Sequence, residues 1–317
     1  MNILVTGAAG FLGSALANRL AADGHSVRGL DDLSSGDPAR LSPRVPFTRG
    51  DVSDRPKLWT LLQDVECVYH LAARVSVPES VLYPREYNAV NVGGTVSVME
   101  AMRDAGVRRV VLVSSGAVYG EHGRQPLAES QVPDPRSPYA VSKLAAEYYV
   151  RTIGSLWGLE SVVLRVFNAY GPGQPLPAAH APVIPRFLRQ AQQGGSLVVH
   201  GDGSQTRDYI YVDDVVEALA AAASAQNVDR RVINVGSGHE TSVRELARLV
   251  GAAVGRRIEV LYSHADNGGV SRMCADIRLA AATLNFQPRL TLAEGLALCL
   301  QRDPRFQARP AANIRPV

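Results

Sequence analysis

The sequence Thr6-Gly7-Ala8-Ala9-Gly10-Phe11-Leu12-Gly13 follows directly on the apolar run Ile3-Leu4-Val5 and opens a helical pattern over Leu12–Ala22. Glycines between a strand and a helix allow a tight turn and bring the backbone close to a pyrophosphate, which the unpaired N–H groups of the helix N-terminus then bind. The spacing G-x-x-G-x-x-G differs by one residue from the older fingerprint G-x-G-x-x-G. This stretch predicts a dinucleotide-binding unit.

Short apolar runs alternate with helical patterns over the first half of the chain. Near-continuous apolar strands separated by helices are typical of a parallel sheet covered on both faces and joined by right-handed crossovers. We therefore predict an α/β fold with a doubly wound parallel sheet of the Rossmann type. The apolar runs are Ile3–Val5, Ser26–Leu30, Cys67–His70, Arg109–Val113 and Glu160–Leu164, and the helical patterns are Leu12–Ala22, Gly94–Ala105 and Tyr139–Leu156.

The pattern changes beyond about Asn168, where Gly171-Pro172-Gly173 and the stretch Pro175–Pro185 predict an irregular loop. We expect residues 1–168 to form mainly the NAD-binding domain, with strand and helix contributions from about 205–240. Residues 169–303 would form mainly a smaller α/β substrate-binding lobe, and residues 304–317 a loose tail. The later patterns are the helices Ile184–Gln193, Val212–Ala223 and Ser242–Val254 and the strand Val232–Val235.

Composition restricts the class of protein. The chain of 317 residues is 46% hydrophobic and 20% charged, and its net charge of +3 is too small for a nucleic-acid-binding surface. Cys67, Cys274 and Cys299 lack metal-type spacing, so we expect no metal site and a reducing compartment. The chain opens on a strand and holds no apolar run of roughly 20 residues. We predict a cytoplasmic protein with neither nucleic acid nor membrane among its partners.

The second predicted strand ends at Leu30-Asp31-Asp32, roughly 20 residues past the glycines, where a carboxylate can bind the adenosine ribose. Asp31 would repel a 2′-phosphate, and no arginine follows the first glycine, so NAD is favoured over NADP. Asp51-Val52 is expected near the adenine, and Leu71-Ala72-Ala73 offers a surface of small residues. The predicted NAD contacts are Gly7, Gly10, Phe11, Leu12, Gly13, Asp31, Asp32, Ser34, Gly36, Asp51, Val52, Leu71, Ala72, Ala73, Tyr139, Lys143 and Val166.

Three residues are candidates for catalysis. Ser115 ends the strand pattern Arg109–Val113 and is therefore expected at the carboxyl edge of the sheet, where such folds bind ligands. Tyr139 and Lys143 lie four residues apart on one helix face. A phenol with a pKa of about 10 is a weak base at neutral pH, but a lysine ammonium and an oxidised nicotinamide both favour the phenolate. Tyr139 then becomes a competent general base.

The order of glycine loop, Asp31, His70-Leu71-Ala72-Ala73, Ser115 and the Tyr139/Lys143 pair resembles the extended short-chain dehydrogenase/reductase family over about residues 1–300. Within it, the chain is most similar to the NAD-dependent epimerase/dehydratases of the UDP-galactose (UDP-glucose) 4-epimerase branch. The motifs of that branch are Ser114–Gly120, Arg165-Val166-Phe167-Asn168 and Gln205-Thr206-Arg207-Asp208-Tyr209.

The resemblance implies a reaction. Tyr139 would remove the proton of the sugar 4-hydroxyl while hydride passes from C4 to NAD, giving a 4-keto sugar that turns over and receives the hydride on its other face. Ser115 would hydrogen-bond the same oxygen, and Lys143 would bind the nicotinamide ribose. The substrate would be a UDP-sugar, and the protein a homodimer through the helices around 94–105 and 139–151.

The resemblance also implies substrate contacts. Asn168 and Arg207 would bind the diphosphate, and the stretches 183–185 and 199–200 would enclose the nucleobase. Where the family carries a second phosphate-binding arginine, this chain has Asp266. Three explanations stay open: nearby Arg272 compensates, the alignment of this loop is shifted, or the substrate differs. The predicted substrate contacts are Ser76, Ser115, Ala117, Tyr139, Asn168, Val183, Ile184, Val199, His200, Arg207 and Arg272.

Three alternative functions differ in the residues or cofactor exchange that they require. A dehydratase needs a further acid or base beside Ser115, but the neighbours are Gly116 and Ala117, which carry no proton. A nucleotide-sugar reductase or dehydrogenase stays open and would exchange its cofactor with solvent. A non-catalytic dinucleotide sensor would be expected to lack Tyr139 or Lys143. The sequence does not rank UDP-glucose, N-acetylated, uronate or TDP-linked sugars, although Met273 stands where side-chain size bears on an N-acetyl group.

Overall fold

The structure, a computed structural model, describes residues 1–263 and 269–307. Helices and strands alternate along most of this length. The strands are β1 (Asn2–Thr6), β2 (Ser26–Asp31), β3 (Phe47–Arg49), β4 (Cys67–His70), β5 (Arg109–Ser115), β6 (Glu160–Val166), β7 (Asn168–Tyr170), β8 (Leu197–His200), β9 (Thr206–Arg207), β10 (Tyr209–Tyr211), β11 (Arg231–Val235), β12 (Thr241–Ser242) and β13 (Val260–Ser263). The helices are α1 (Phe11–Ala22), α2 (Arg55–Leu61), α3 (Val77–Leu82), α4 (Pro84–Asn88), α5 (Gly94–Ala105), α6 (Pro138–Trp157), α7 (Val183–Gln192), α8 (Val212–Ala222), α9 (Val243–Ala253), α10 (Arg278–Leu284) and α11 (Leu292–Arg302).

Seven strands form one parallel sheet in the order β3-β2-β1-β4-β5-β6-β11. The predicted doubly wound fold is confirmed, and the predicted strands and helices lie within a few residues of the observed bounds. The strand order reverses between β1 and β4, whose last residues Thr6 and His70 are register partners. In such sheets the crevice at this reversal, outside the carboxyl ends of the strands, is the ligand site.

The C-terminal part of the chain adds short two-stranded sheets that pair β7 with β10, β9 with β12 and β8 with β13. Its core is continuous with that of the large sheet, because Ile3 and Val5 of β1 belong to the same buried cluster as Phe187 and Leu188 of α7. Helix α8 lies between these parts and packs against α1. Shared burial of this kind fixes the lobe relative to the sheet.

Residues 304–307 are the part of the predicted tail that the structure describes, and together with Asp303 before them they contact the rest of the chain. Asp303 and Phe306 are buried. The Asp303 carboxylate accepts a hydrogen bond of 2.8 Å from the Gly173 amide and pairs with Arg305 at 2.6 Å. No helix among the described residues is long and apolar enough to cross a membrane.

Candidate active site

The glycine turn between β1 and α1 tolerates no side chains at two positions. Gly7 has a φ of +69°, and a Cβ there would lie 2.7 Å from the Ala72 nitrogen. A Cβ on Gly13 would lie 1.9 Å from the Gly7 oxygen. Helix α1 starts after Gly10 with no side-chain cap, so its first N–H groups stay available to an anion. The turn therefore fits the pyrophosphate of a dinucleotide.

Asp31, the last residue of β2, joins this turn to the predicted ribose site. Its carboxylate accepts hydrogen bonds from the Ala9 nitrogen at 3.0 Å and the Leu33 nitrogen at 2.8 Å. Burial raises the pKa of this carboxyl group. The next carboxylate, Asp32, accepts from the backbone and hydroxyl of Ser34. Gly36 lies against the Asp31 carboxylate, since a Cβ on Gly36 would lie 2.9 Å from Asp31 Oδ1.

The remaining predicted NAD contacts follow neighbouring strands. Asp51 and Val52 come after β3, and Val52 is buried so closely against α5 that a Cβ on Gly94 would lie 2.6 Å from it. The stretch 71–73 leaves β4 beside the glycine turn, and Val166 ends β6. The structure thus gathers the predicted NAD contacts at one edge of the sheet.

His70 is a buried residue of this edge that our list of contacts omitted. Its Nδ1 lies 2.8 Å from Thr6 Oγ1 and its Nε2 lies 3.0 Å from Thr95 Oγ1. Thr95 donates its proton to the Asn91 carbonyl at 2.6 Å, so it accepts from Nε2–H, and Thr6 donates to Nδ1. Burial and the charge of Lys143 lower the His70 pKa to about 3. Neutral His70 therefore ties β1, β4 and α5 together.

Ser115 and Tyr139 meet at the carboxyl end of β5. Helix α6 begins at Pro138, and the Ser137 hydroxyl caps it by accepting from the Ala140 nitrogen at 3.1 Å. Tyr139 in this first turn is 9% exposed, and its phenol lies near enough to the Ser115 side chain for that hydroxyl to affect its pKa. Ser115 Oγ accepts from the Ala117 nitrogen at 3.1 Å, which leaves its proton free to be donated.

The pKa of Tyr139 corrects one expectation. Burial raises it above the ordinary 10.0, and the nearby Ser115 side chain offsets only part of this increase. Lys143 is 5% exposed, and burial lowers its own pKa to about 8 despite the opposing charge of Glu147. The groups of the chain by themselves therefore do not make the phenol acidic, because both side chains lie away from water. The cationic nicotinamide of NAD⁺, when held at this site, would supply a further positive charge that favours the phenolate.

Asn91 is a second residue that our list of contacts omitted. It lies in a π-helical turn, Ala89–Gly93, which precedes α5. Its side chain accepts from the Arg74 nitrogen at 2.8 Å and donates to the hydroxyl of Ser142 at 2.9 Å. That hydroxyl donates to the Tyr139 carbonyl at 2.8 Å. The turn thus supports the first turn of α6, and the adjacent glycines 93 and 94 within a helical pattern were its sequence signal.

Arg207 is the residue that we predict to bind the substrate diphosphate. It lies in β9, its Nη1 donates to the Thr206 carbonyl at 2.7 Å, and among the described residues no carboxylate lies within 4.0 Å of its guanidinium. Partial burial lowers its pKa, although the charge of Glu121 opposes this. Asn168 starts β7, which pairs with β10 two residues after Arg207. A half-buried cation without a partner favours an anionic ligand.

Arg272 is already engaged. Its guanidinium forms two hydrogen bonds with Glu240, at 3.0 and 2.5 Å, and its side chain is 48% exposed. Glu240 also accepts from the Thr206 hydroxyl at 2.7 Å, and this places Arg272 near Arg207. The positive charge of Arg272 is, however, already neutralised by the Glu240 carboxylate. This arrangement weakens the prediction that it replaces a phosphate-binding arginine. Asp266 lies outside the described residues.

The other predicted substrate contacts differ in their access to a ligand. Val183 begins α7 with a half-buried side chain, and His200 ends β8 half-buried, but Ile184 and Val199 are 3% and 1% exposed and belong to the core. Met273 is likewise buried, in a small cluster with aromatic neighbours. Ser76 caps α3 by accepting from the Glu79 nitrogen, and Ala117 donates its N–H to Ser115.

Comparisons with known proteins identify the family of the chain. The family model described as the NAD dependent epimerase/dehydratase family matches residues 3–236. The UDP-glucose 4-epimerase of Mycolicibacterium smegmatis is 42% identical over 304 residues, which cover 94% of this chain and 96% of the relative.

Solved structures give the same result. The Thermotoga maritima UDP-glucose 4-epimerase with UDP-glucose superposes with a TM-score of 0.91 at 35% identity, over 95% of this chain and 98% of the other. The Thermus thermophilus UDP-glucose 4-epimerase in complex with NAD superposes with a TM-score of 0.88 at 34% identity, again over 95% and 98%. With a glycine turn fit for a dinucleotide and the serine, tyrosine and lysine beside it, the chain belongs to the NAD-dependent epimerase/dehydratase family.

Proposed function

We propose that the chain is an NAD-dependent nucleotide-sugar 4-epimerase of the UDP-glucose/UDP-galactose type that works through a transient 4-keto sugar. The observation that carries this proposal is the meeting of Ser115, Tyr139 and Lys143 at the sheet edge that also holds the glycine turn. The glycines and Asp31 would hold the pyrophosphate and the adenosine ribose. When held by these residues, NAD⁺ would supply the hydride acceptor and donor for the sugar C4.

Tyr139, Ser115 and Lys143 have different roles in moving the proton of the sugar 4-hydroxyl. Tyr139 takes the proton of the 4-hydroxyl as the carbonyl forms and gives it back when the carbonyl is reduced. Ser115 donates its hydroxyl proton to the same sugar oxygen, since the Ala117 N–H already occupies one of its lone pairs. Lys143 supplies a positive charge in a buried setting, where charge acts more strongly than in water. At the end of each cycle Tyr139 and Ser115 have regained their starting protonation states.

One contact favours an epimerase over a dehydratase. A Cβ on Gly116 would lie 3.1 Å from three atoms of the Phe167 ring, so the position after Ser115 has little room for an acidic side chain. Ala117, the following residue, has no titratable group. A carboxylic acid at this place is what a dehydratase would use to expel the sugar 6-hydroxyl, as the family resemblance implies.

The domain roles, the diphosphate contacts and the homodimer are further parts of the proposal. Residues 1–168 with 205–240 would bind NAD, and 169–303 would bind the sugar nucleotide, with Arg207 and Asn168 on its diphosphate. A homodimer through α5 and α6 is supported by exposed apolar side chains on α6, namely Val141 at 52%, Tyr148 at 56% and Tyr149 at 46%. Light scattering after size-exclusion chromatography tests the dimer, and a monomeric mass would contradict it. The cytoplasmic location stays a prediction.

Incubation with sugar nucleotides tests the activity. Purified protein, without added cofactor, would receive UDP-glucose, UDP-galactose, UDP-N-acetylglucosamine and UDP-glucuronate in separate reactions, with products identified by NMR. We expect UDP-glucose and UDP-galactose to interconvert with no net NADH. Stoichiometric NADH formation would indicate a dehydrogenase, and loss of water from the sugar a dehydratase; either result contradicts the proposal.

A further inference from the structure

A cavity of about 520 Å³ lies between α6, the start of β11 and the loop 129–133. It contains none of the residues that we assign to NAD or to the sugar nucleotide. Its volume falls within the range of small-molecule sites, which is roughly 300–1,000 Å³. Its charged lining residues are Glu129, Glu147, Arg151, Arg165, Arg230 and Arg231.

Positive charge exceeds negative charge in this cavity. Glu147 pairs with Arg165, and Arg230 pairs with Asp229 at 3.2 Å. Arg151 and Arg231 form no ion pair within the part of the chain that the structure describes; Arg151 only donates from Nε to the Arg230 carbonyl. Arg151 and Arg231 therefore border the cavity without an ion-pair partner among the described residues. Glu129, whose carboxylate accepts from the Asn234 nitrogen at 2.8 Å, adds one negative charge, so the four arginines still outnumber the two glutamates.

Arg165 gives a second, independent sign of a ligand. This residue is 4% exposed, and although its Nε and Nη2 bind Glu147, its Nη1 is buried with no hydrogen-bond partner in the described structure. The Tyr119 ring stacks on the guanidinium at 4.6 Å from its centroid but accepts no conventional hydrogen bond. Buried donors are nearly always paired, so an unpaired one beside a cavity indicates an absent acceptor.

Ser130, Gln131 and Tyr148 contribute polar groups to the rest of the lining. Its apolar wall consists of Val132, Pro133, Leu144, Val232 and Leu279. Such a wall suits the organic part of an amphipathic anion, while arginine forks suit its charged end. A phosphate offers three terminal oxygens, one for each of Arg151, Arg165 and Arg231, whereas a carboxylate offers two.

We propose that this cavity binds a phosphate monoester of a small organic molecule at a site separate from the active site. The site lies directly behind the catalytic helix, since Leu144, Glu147 and Arg151 occupy the face of α6 that borders it. The inference does not depend on the proposed reaction, because it concerns binding to a surface that takes no part in it.

Calorimetric titration with phenyl phosphate tests the proposal. The full-length protein would be saturated with NAD and UDP, which fill the active site. We expect one binding site, weakened at least about tenfold in Arg151→Gln and in Arg231→Gln, since each removes a charge-assisted hydrogen bond. The matched control is Arg44→Gln, an exposed arginine between β2 and β3 at the opposite edge of the sheet, which should leave affinity unchanged.

Two outcomes would overturn the proposal: no binding with the active site filled, or equal affinity in all three arginine variants. Benzoate binding as tightly as phenyl phosphate would refute the phosphate class. Melting temperatures near that of the parent protein establish that the variants are folded. Tyr139→Phe should keep the site intact, so failure of the proposed epimerase activity and failure of this site would be seen separately.

Discussion

Glu147 of α6 and Arg165 of β6 form a bidentate ion pair, with N–O distances of 2.9 and 2.7 Å, although their side chains are only 2% and 5% exposed. The Ser114 hydroxyl donates a third hydrogen bond to the same carboxylate. Because Glu147 lies one helical turn beyond Lys143, the pair fixes the catalytic helix to the strand ends that carry the site. Removing one member leaves a buried charge without compensation.

We predict that Glu147→Ala lowers the free energy of unfolding by about 3–5 kcal/mol. Urea denaturation followed by circular dichroism measures this. The double variant Glu147→Leu/Arg165→Met removes both charges and should recover most of the loss. A loss below about 0.5 kcal/mol in the single variant would show that the pair does not hold the helix, as that is the usual range for surface substitutions.

His70 should make stability depend on pH. Its pKa is lowered from 6.5 to about 3 in the folded protein. Between these pH values the imidazole is protonated in the unfolded chain but neutral in the folded chain. The free energy of unfolding should therefore fall as pH decreases from 6.5 toward 3, and fall less steeply in His70→Gln. Urea titrations at several pH values measure the slopes. Exposed His239→Gln is the control and should keep the parent slope; equal slopes in all three proteins would contradict the assignment.

The sequence predicted the regular parts of this structure well, because local patterns determine them. The apolar runs became the parallel strands, and the four-residue spacing of Tyr139 and Lys143 placed both on the first turns of α6. Glycine spacing located the turn at Gly7, where a positive φ and close packing exclude a side chain. These features depend on neighbours within a few residues, which a single sequence displays.

The sequence could not show features that depend on distant partners. Burial by remote segments raises the pKa of Tyr139, where sequence reasoning expected the lysine to lower it. Val199 lies in the core, and Arg272 pairs with Glu240, which is 32 residues away in the chain. His70 contacts Thr6 across 64 residues. No local pattern specifies these contacts.

The buried ammonium of Lys143 should lower the free energy of unfolding. The chain has only two lysines, Lys57 and Lys143, and burial lowers the pKa of Lys143 from 10.5 to about 8. The penalty is full below pH 8 and fades as pH rises toward 10.5, since the unfolded chain then holds more protons than the folded one. Lys143→Met should therefore raise the free energy of unfolding of NAD-free protein at pH 7 by roughly 1–3 kcal/mol while turnover falls.

Lys57→Met is the matched control, because Lys57 is partly exposed and pairs with Asp54 at the surface. It should change stability by less than about 1 kcal/mol. Urea denaturation of the protein stripped of NAD gives both values. Lower stability in Lys143→Met would contradict the burial cost that the structure assigns to this ammonium.

The two arginines near the predicted diphosphate site should differ. Arg207→Gln removes a half-buried cation without a carboxylate partner and should raise the KM for the UDP-sugar about 10–100-fold, with a smaller change in kcat. Arg272→Gln removes a cation that Glu240 already neutralises, and we expect less than about a threefold change. Steady-state kinetics of both variants decide this; a larger effect at Arg272 would reverse the assignment.

Tyr139→Phe tests the central claim most directly. The substitution removes the phenol oxygen and keeps the ring that packs edge-on against Tyr87 at 6.5 Å between centroids, so the fold and the NAD cleft should be retained. We predict that interconversion of UDP-glucose and UDP-galactose slows by about 10²–10⁴-fold, with an unchanged content of bound NAD. A variant that carries NAD and turns over at a near-native rate would contradict the role of Tyr139 as the base.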